Sequence, residues 1–165
     1  MILIAIGANL PGPNGLTALQ TCAQAVAALK KIPQLIFKSA SAWYRTAAIP
    51  PSDQPDYCNG VVRLEGEIGP AELLAALQDI ENRYGRTRSV RDAARTLDID
   101  IIDLNGAIRA LPTPILPHPR AHLRAFVLRP ILDVAPGWIH PAFRRSVTSL
   151  LVDLPAQRIQ PWSDG

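Results

Sequence analysis

Apolar and polar positions divide this chain into short elements. Residues 2–7 are an apolar run that suits a central strand, and Gly7 opens a dense turn cluster, GANLPGPNG, over residues 7–15. Over 16–31 the apolar residues Leu19, Ala23, Val26, Ala27 and Leu29 recur at helical spacing; Lys30 and Lys31 complement the C-terminal dipole before Pro33 stops the helix. Residues 35–44 read as a strand, 47–55 as a Pro-containing loop and 57–67 as an alternating strand. Pro70 then opens a helix with Leu73, Leu74, Leu77, Ile80 and Tyr84 on one face, and Gly85 stands where a left-handed C-terminal residue is favoured. An arginine-rich loop, 86–95, leads into the strand RTLDIDIIDLNG, closed by an Asn-Gly turn signal. Four prolines between Pro112 and Pro119 exclude regular structure, and helices are expected over about 124–134 and 147–151.

The resulting order, β-α-β-β-α-β, predicts an α+β fold of ferredoxin-like type. Two helices would lie on one face of an antiparallel sheet, with a C-terminal extension. A chain of 165 residues, 48% hydrophobic and without repeats or low-complexity tracts, fits one domain, 1–165, with the tail after about 155 loosely held. Cys22 and Cys58 are too far apart for a metal or redox motif and read as buried thiols of a reducing compartment. The apolar start has no basic leader, and no stretch approaches the ~20 apolar residues of a membrane span. A cytoplasmic protein that binds no membrane is therefore expected; a monomer is also expected, although the sequence does not fix the oligomeric state. The net charge of +3 permits an anionic ligand without arguing for nucleic acid.

The Asp-bearing strand raises a chemical question. Residues two apart on a strand share a face at about 7 Å, so Asp98 and Asp100 would sit side by side while Leu97, Ile99 and Ile101 face a core. Two like charges held close on an apolar strand need a positive answer. Arg83, Arg86, Arg88, Arg91 and Arg95 lead directly into it. Guanidinium forks match phosphate oxygens, and carboxylates bind hard cations that bridge phosphates, which suggests a nucleotide with metal. A solvated arginine loop pairing with the aspartates is the simpler alternative. His118, in Leu116-Pro117-His118-Pro119-Arg120, adds a side chain on a proline-fixed segment, with Arg124 and Phe126 nearby in sequence. No phosphate-binding glycine loop, dinucleotide fingerprint or nucleophile triad is present, and His118, His122 and His140 make a weak zinc case.

The blocks Ile4-Ala5-Ile6-Gly7-Ala8-Asn9-Leu10, Tyr44-Arg45-Thr46, Asp53-Gln54-Pro55-Asp56-Tyr57-Cys58-Asn59, Arg95-Thr96-Leu97-Asp98-Ile99-Asp100-Ile101, Leu116-Pro117-His118-Pro119 and Arg124-Ala125-Phe126-Val127-Leu128 resemble 6-hydroxymethyl-7,8-dihydropterin pyrophosphokinases. The resemblance runs from residue 4 to about 136. It implies transfer of the diphosphoryl group of ATP to the hydroxymethyl oxygen of 6-hydroxymethyl-7,8-dihydropterin, with release of AMP, in folate biosynthesis. It also implies two Mg²⁺ ions held by Asp98 and Asp100. ATP contacts would come from Gln78, Glu81, Arg86, Arg88, Arg95, Ile101, His118 and Arg124, with Arg86, Arg95 and His118 nearest the chemistry. Thr46, Tyr57, Asn59 and Phe126 would form the pterin pocket, where an amide suits the heterocycle's edge and aromatic rings its faces.

The chain departs from some family members at Arg91-Asp92-Ala93-Ala94-Arg95, one residue shorter and without tryptophan, at Ala47-Ala48-Ile49-Pro50, and at Thr113 and Ile115. The arginine loop, 86–94, lacks packing residues of its own and is expected to order only when ATP bridges it. Two other readings stand beside the enzyme. A ferredoxin-like nucleic-acid module is disfavoured by the two aspartates and by the absence of an aromatic pair on the central strands. A catalytically silent nucleotide-binding relative is separable only by assay.

Overall fold

The computed structural model describes residues 1–9, 15–47, 55–84 and 97–163. Its elements are β1 (Ile2–Ala8), α1 (Ala18–Leu29), β2 (Leu35–Ala40), β3 (Tyr44–Thr46), β4 (Tyr57–Gly66), α2 (Pro70–Arg83), β5 (Asp98–Leu104), a 3₁₀ turn over Ala121–Leu123, α3 (Ala125–Val134), α4 (Val147–Val152) and β6 (Ile159–Pro161). The sheet is antiparallel, in the order β5-β1-β4-β3-β6, with β2 also paired to β4.

Local chemistry accounts for the helix starts. Thr17 caps α1 in a reciprocal box: its hydroxyl accepts from the Gln20 amide at 3.1 Å while Gln20 Oε1 accepts from the Thr17 amide at 2.9 Å. Pro70 occupies the first turn of α2, where no intrahelical donor is lost. Gly85, expected to close this helix, lies outside the described residues, as does the arginine loop.

The single strand expected over 35–44 is two strands. Ser41 breaks it, donating its amide to Val61 O and accepting from Val61 N on Oγ at 2.9 Å, while Trp43 fills the space beside Gly60, where a Cβ would meet its ring at 2.6 Å. The tail expected to be loosely held after about 155 is docked instead: β6 pairs with β3, the Trp162 amide donates to Trp43 O, and the Arg45 guanidinium lies 4.0 Å from the Trp162 ring centroid.

The two helices expected on one face, α1 and α2, do pack there together, and α3 and α4 cover the other face. Ile2, Ile4 and Ile6 of β1 and Leu97, Ile99 and Ile101 before and within β5 bury against Cys22, Ala25 and Leu29 of α1 and Leu73, Leu77 and Ile80 of α2. Leu3, Val61 and Ile102 pack on the other face with Val127, Leu128 and Ile131 of α3 and Leu150 of α4. A register shift sets Ile4 opposite Ile101 although Leu3 is opposite Asp103. The extra residue turns Asp103 toward the α3 side, where it accepts from Trp138 Nε1 at 2.7 Å. Asp133 of α3 accepts from Tyr44 Oη at 2.6 Å and ties α3 to β3; burial first, then this bond, pushes the tyrosine pKa up to about 12. Cys22 and Cys58 are buried free thiols. Among the described residues no helix is long and apolar enough to cross a membrane.

Candidate active site

On the α3 face the sheet opens into a cleft of about 580 Å³. Its floor follows from strand register. Asn59, Gly7 and Asp98 lie opposite one another on β4, β1 and β5, and Val61, Ala5 and Asp100 form the next row. The middle strand contributes only small residues there, leaving room above it. At Gly7 the room is already used: an added Cβ would lie 2.7 Å from Asn59 Oδ1.

Asn59 and Thr46 form one wall. Both are buried, and Asn59 Nδ2 donates to Thr46 Oγ1 at 2.6 Å. The bond uses one amide hydrogen, leaving the Asn59 side chain a second donor and a carbonyl acceptor. Tyr57 lines the same side. Phe126 and Arg124, at the start of α3, face them across the cleft, with the Arg124 guanidinium 5.5 Å from the Phe126 ring centroid.

Asp98 and Asp100 both line the cleft, as strand alternation requires, with Ile99 and Ile101 turned to the opposite core. Two carboxylates on one cleft floor suit Mg²⁺, which takes one or two protein carboxylates and completes its shell with water and substrate phosphate. Among the described residues no cluster of three or more metal-ligating side chains competes for that role.

His118 reaches the cleft because its amide donates to Ile102 O at 3.0 Å, fastening the proline segment to the open edge of β5. Its Nδ1 accepts from the Arg120 amide at 3.1 Å, so the neutral ring carries its proton on Nε2. Burial lowers its pKa; Asp100 acts against this, and the Arg124 and Arg120 guanidinium groups add to it.

The structure therefore brings Asp98, Asp100, His118, Arg124, Thr46, Tyr57, Asn59 and Phe126 to one cleft. Arg86, Arg88 and Arg95 lie outside the described residues. Gln78, Glu81 and Ile101, expected on the nucleotide side, do not line it. Glu81 is buried on α2, across the sheet, and its Oε2 accepts from the Ile99 amide at 2.9 Å, anchoring β5 behind the aspartates. Ile101 belongs to the same α1/α2 core. Two polar lining residues escaped the sequence reading: Arg120, beside His118, and Gln157, from the tail. Arg120 could have been found from its place directly after Pro119; nothing local marks Gln157.

The family model described as 7,8-dihydro-6-hydroxymethylpterin-pyrophosphokinase matches residues 3–136. The chain is 35% identical over 159 residues to the 2-amino-4-hydroxy-6-hydroxymethyldihydropteridine pyrophosphokinase of Pseudomonas aeruginosa, covering 96% of this chain and 94% of that one. To the protein of the same name from Haemophilus influenzae it is 38% identical over 141 residues, covering 84% and 83%. A solved Plasmodium falciparum HPPK-DHPS triple mutant shares the fold with a TM-score of 0.67 at 12% identity; the match covers 90% of this chain and 42% of that longer one. The chain belongs to the 7,8-dihydro-6-hydroxymethylpterin-pyrophosphokinase family and is a pyrophosphokinase, a transferase.

Proposed function

We propose that the protein transfers the β,γ-diphosphoryl group of ATP to the hydroxymethyl oxygen of 6-hydroxymethyl-7,8-dihydropterin, as a step of folate synthesis. The hydroxyl oxygen forms a bond to the β-phosphorus, the bond from that phosphorus to the α,β-bridging oxygen breaks, AMP leaves, and the hydroxyl proton passes to solvent. One observation carries the reading. A single cleft holds a carboxylate pair on one strand, Asp98 and Asp100, and a hydrogen-bonded Asn59–Thr46 pair beginning two strands away.

Asn59 and Thr46 present donors and an acceptor to the edge of the pterin, and Tyr57 and Phe126 cover its faces. Asp98 and Asp100 would hold two Mg²⁺ ions, which would neutralise phosphate charge and help orient the attacking hydroxyl. His118, neutral, donates from Nε2 to a phosphate oxygen, and Arg124 supplies fixed positive charge from the start of α3. Arg86, Arg88 and Arg95 add guanidinium contacts to the phosphates. No covalent nucleophile is required, because phosphoryl transfer of this kind rests on positioning and electrostatic stabilisation. In the same reading the domain is a ferredoxin-like monomer acting in the cytoplasm, without nucleic acid or membrane.

The test is nucleotide product analysis with ATP and Mg²⁺, with and without the pterin. Pterin-dependent AMP supports the proposal. ADP as the product, or no AMP from folded protein that binds ATP, overturns it.

A further inference from the structure

The C-terminal segment beyond the family match touches both walls of the cleft. On one side β6 pairs with β3, setting Ile159 opposite Thr46. On the other, the Gln157 side chain straddles Arg124: Oε1 accepts from the Ala125 amide at 2.9 Å, and Nε2 donates to Leu123 O at 3.0 Å. These partners are 32 and 34 residues away in sequence. The Ala125 amide opens α3 and has no partner within its own helix, and Arg124, the residue before it, makes no side-chain cap. The cap is supplied from the tail.

We propose that Gln157 is a positioning residue for the transfer reaction: its amide clamps the backbone on both sides of Arg124 and so fixes Arg124 and Phe126 against the Thr46–Asn59 wall. This rests on the function proposed above. The two walls are already joined at their far end by Tyr44 and Asp133. Gln157 and β6 join them at the cleft itself, so the spacing between the amide edge at Asn59 and the aromatic face at Phe126 is held at both ends. The clamp is one side chain carrying two complementary bonds. A residue of the same length without hydrogen-bonding groups loses both, and a carboxylate keeps the bond to the amide while opposing the carbonyl.

The experiment compares Gln157→Met and Gln157→Glu with the wild-type chain, reading hydrogen exchange at the Ala125 amide together with KM and kcat for both substrates. In Gln157→Met, exchange at Ala125 should quicken roughly tenfold, and KM should rise roughly three- to tenfold for ATP and pterin together, with kcat changed less. Gln157→Glu should keep the Ala125 protection and show a smaller rise in KM. A lowered melting temperature with both KM values unchanged would mean a purely structural cap and overturns the proposal, as does unchanged Ala125 exchange in Gln157→Met. The exchange measurement needs no turnover, so a wild-type protein that makes no pterin-dependent AMP would sink the functional reading while leaving the clamp itself still measurable.

Discussion

Strand β1 presents two different faces. Toward α1 and α2 it sends Ile2, Ile4 and Ile6, three side chains of equal size that are all buried in a continuous apolar core. Toward α3 it sends Leu3, Ala5 and Gly7, which shrink along the strand. Leu3 packs against the α3 core, Ala5 and Gly7 line the cleft, and the space they give up is bounded by Asp98, Asp100 and Asn59. The same strand, read at its two periodic positions, thus makes a rigid support on one side and a tapered opening on the other. Stability and chemistry are separated by the pleat, with Glu81 reaching from the supporting side to hold the backbone of β5 at Ile99.

That separation can be attacked from either face. The largest expected effect is on the cleft floor: Asp98→Asn should lower turnover by at least about a hundredfold, while circular dichroism stays that of the folded protein. Next is Gly7→Ala. The new methyl group competes with Asn59 Oδ1 for its place and turns the amide from its bond to Thr46, so KM for the pterin should rise roughly tenfold. Turnover at saturating pterin should change less. On the supporting face, Ile4→Val should cost about 0.5–1.5 kcal/mol in denaturant unfolding and leave both KM values as they are. If it instead raised KM for the pterin, the two faces would not be independent.

A weaker pH effect belongs to the packing behind the cleft. His140 is almost fully buried; its pKa is lowered by burial first and by His122 next, against Asp103. Its Nδ1 accepts from the Ala142 and Phe143 amides and its ring stacks on Phe143. Because the folded pKa lies below the ordinary value of 6.5, the unfolded chain takes up the proton first. The stability associated with His140 is present above pH 6.5 and is lost as pH falls from there through the lowered folded value. Chemical denaturation between about pH 8 and about pH 5 checks this, and His140→Gln should flatten that part of the profile.

Much of the fold was legible because its signals are local. Period-two alternation placed Asp98 and Asp100 on one face and Ile99 and Ile101 on the other, and Pro70 marked the start of α2. The break at Ser41 was not legible. It depends on the pairing with Val61 and on Trp43 entering the space that Gly60 leaves on a strand many residues away. β6 is three residues long and carries no pattern of its own; pairing to β3 and the contact of Arg45 with Trp162 place it. The site divides in the same way. Residues inside motifs, such as His118 and Asn59, line the cleft as the sequence suggested, whereas Gln157 reaches it only because the tail returns to the sheet. Glu81 shows the converse: the family resemblance implied a nucleotide contact, but its carboxylate accepts from the Ile99 amide of β5.

The metal-holding role proposed for the β5 carboxylates is tested most directly by a Mg²⁺ titration of pterin-dependent AMP formation, with the wild-type protein and Asp100→Asn side by side. No product is expected without Mg²⁺, formation by the wild type should saturate, and the variant should be slower by at least about a hundredfold at every Mg²⁺ concentration. Near-normal turnover by Asp100→Asn at saturating Mg²⁺ would contradict the assignment of Asp98 and Asp100 as the groups that hold metal in the cleft.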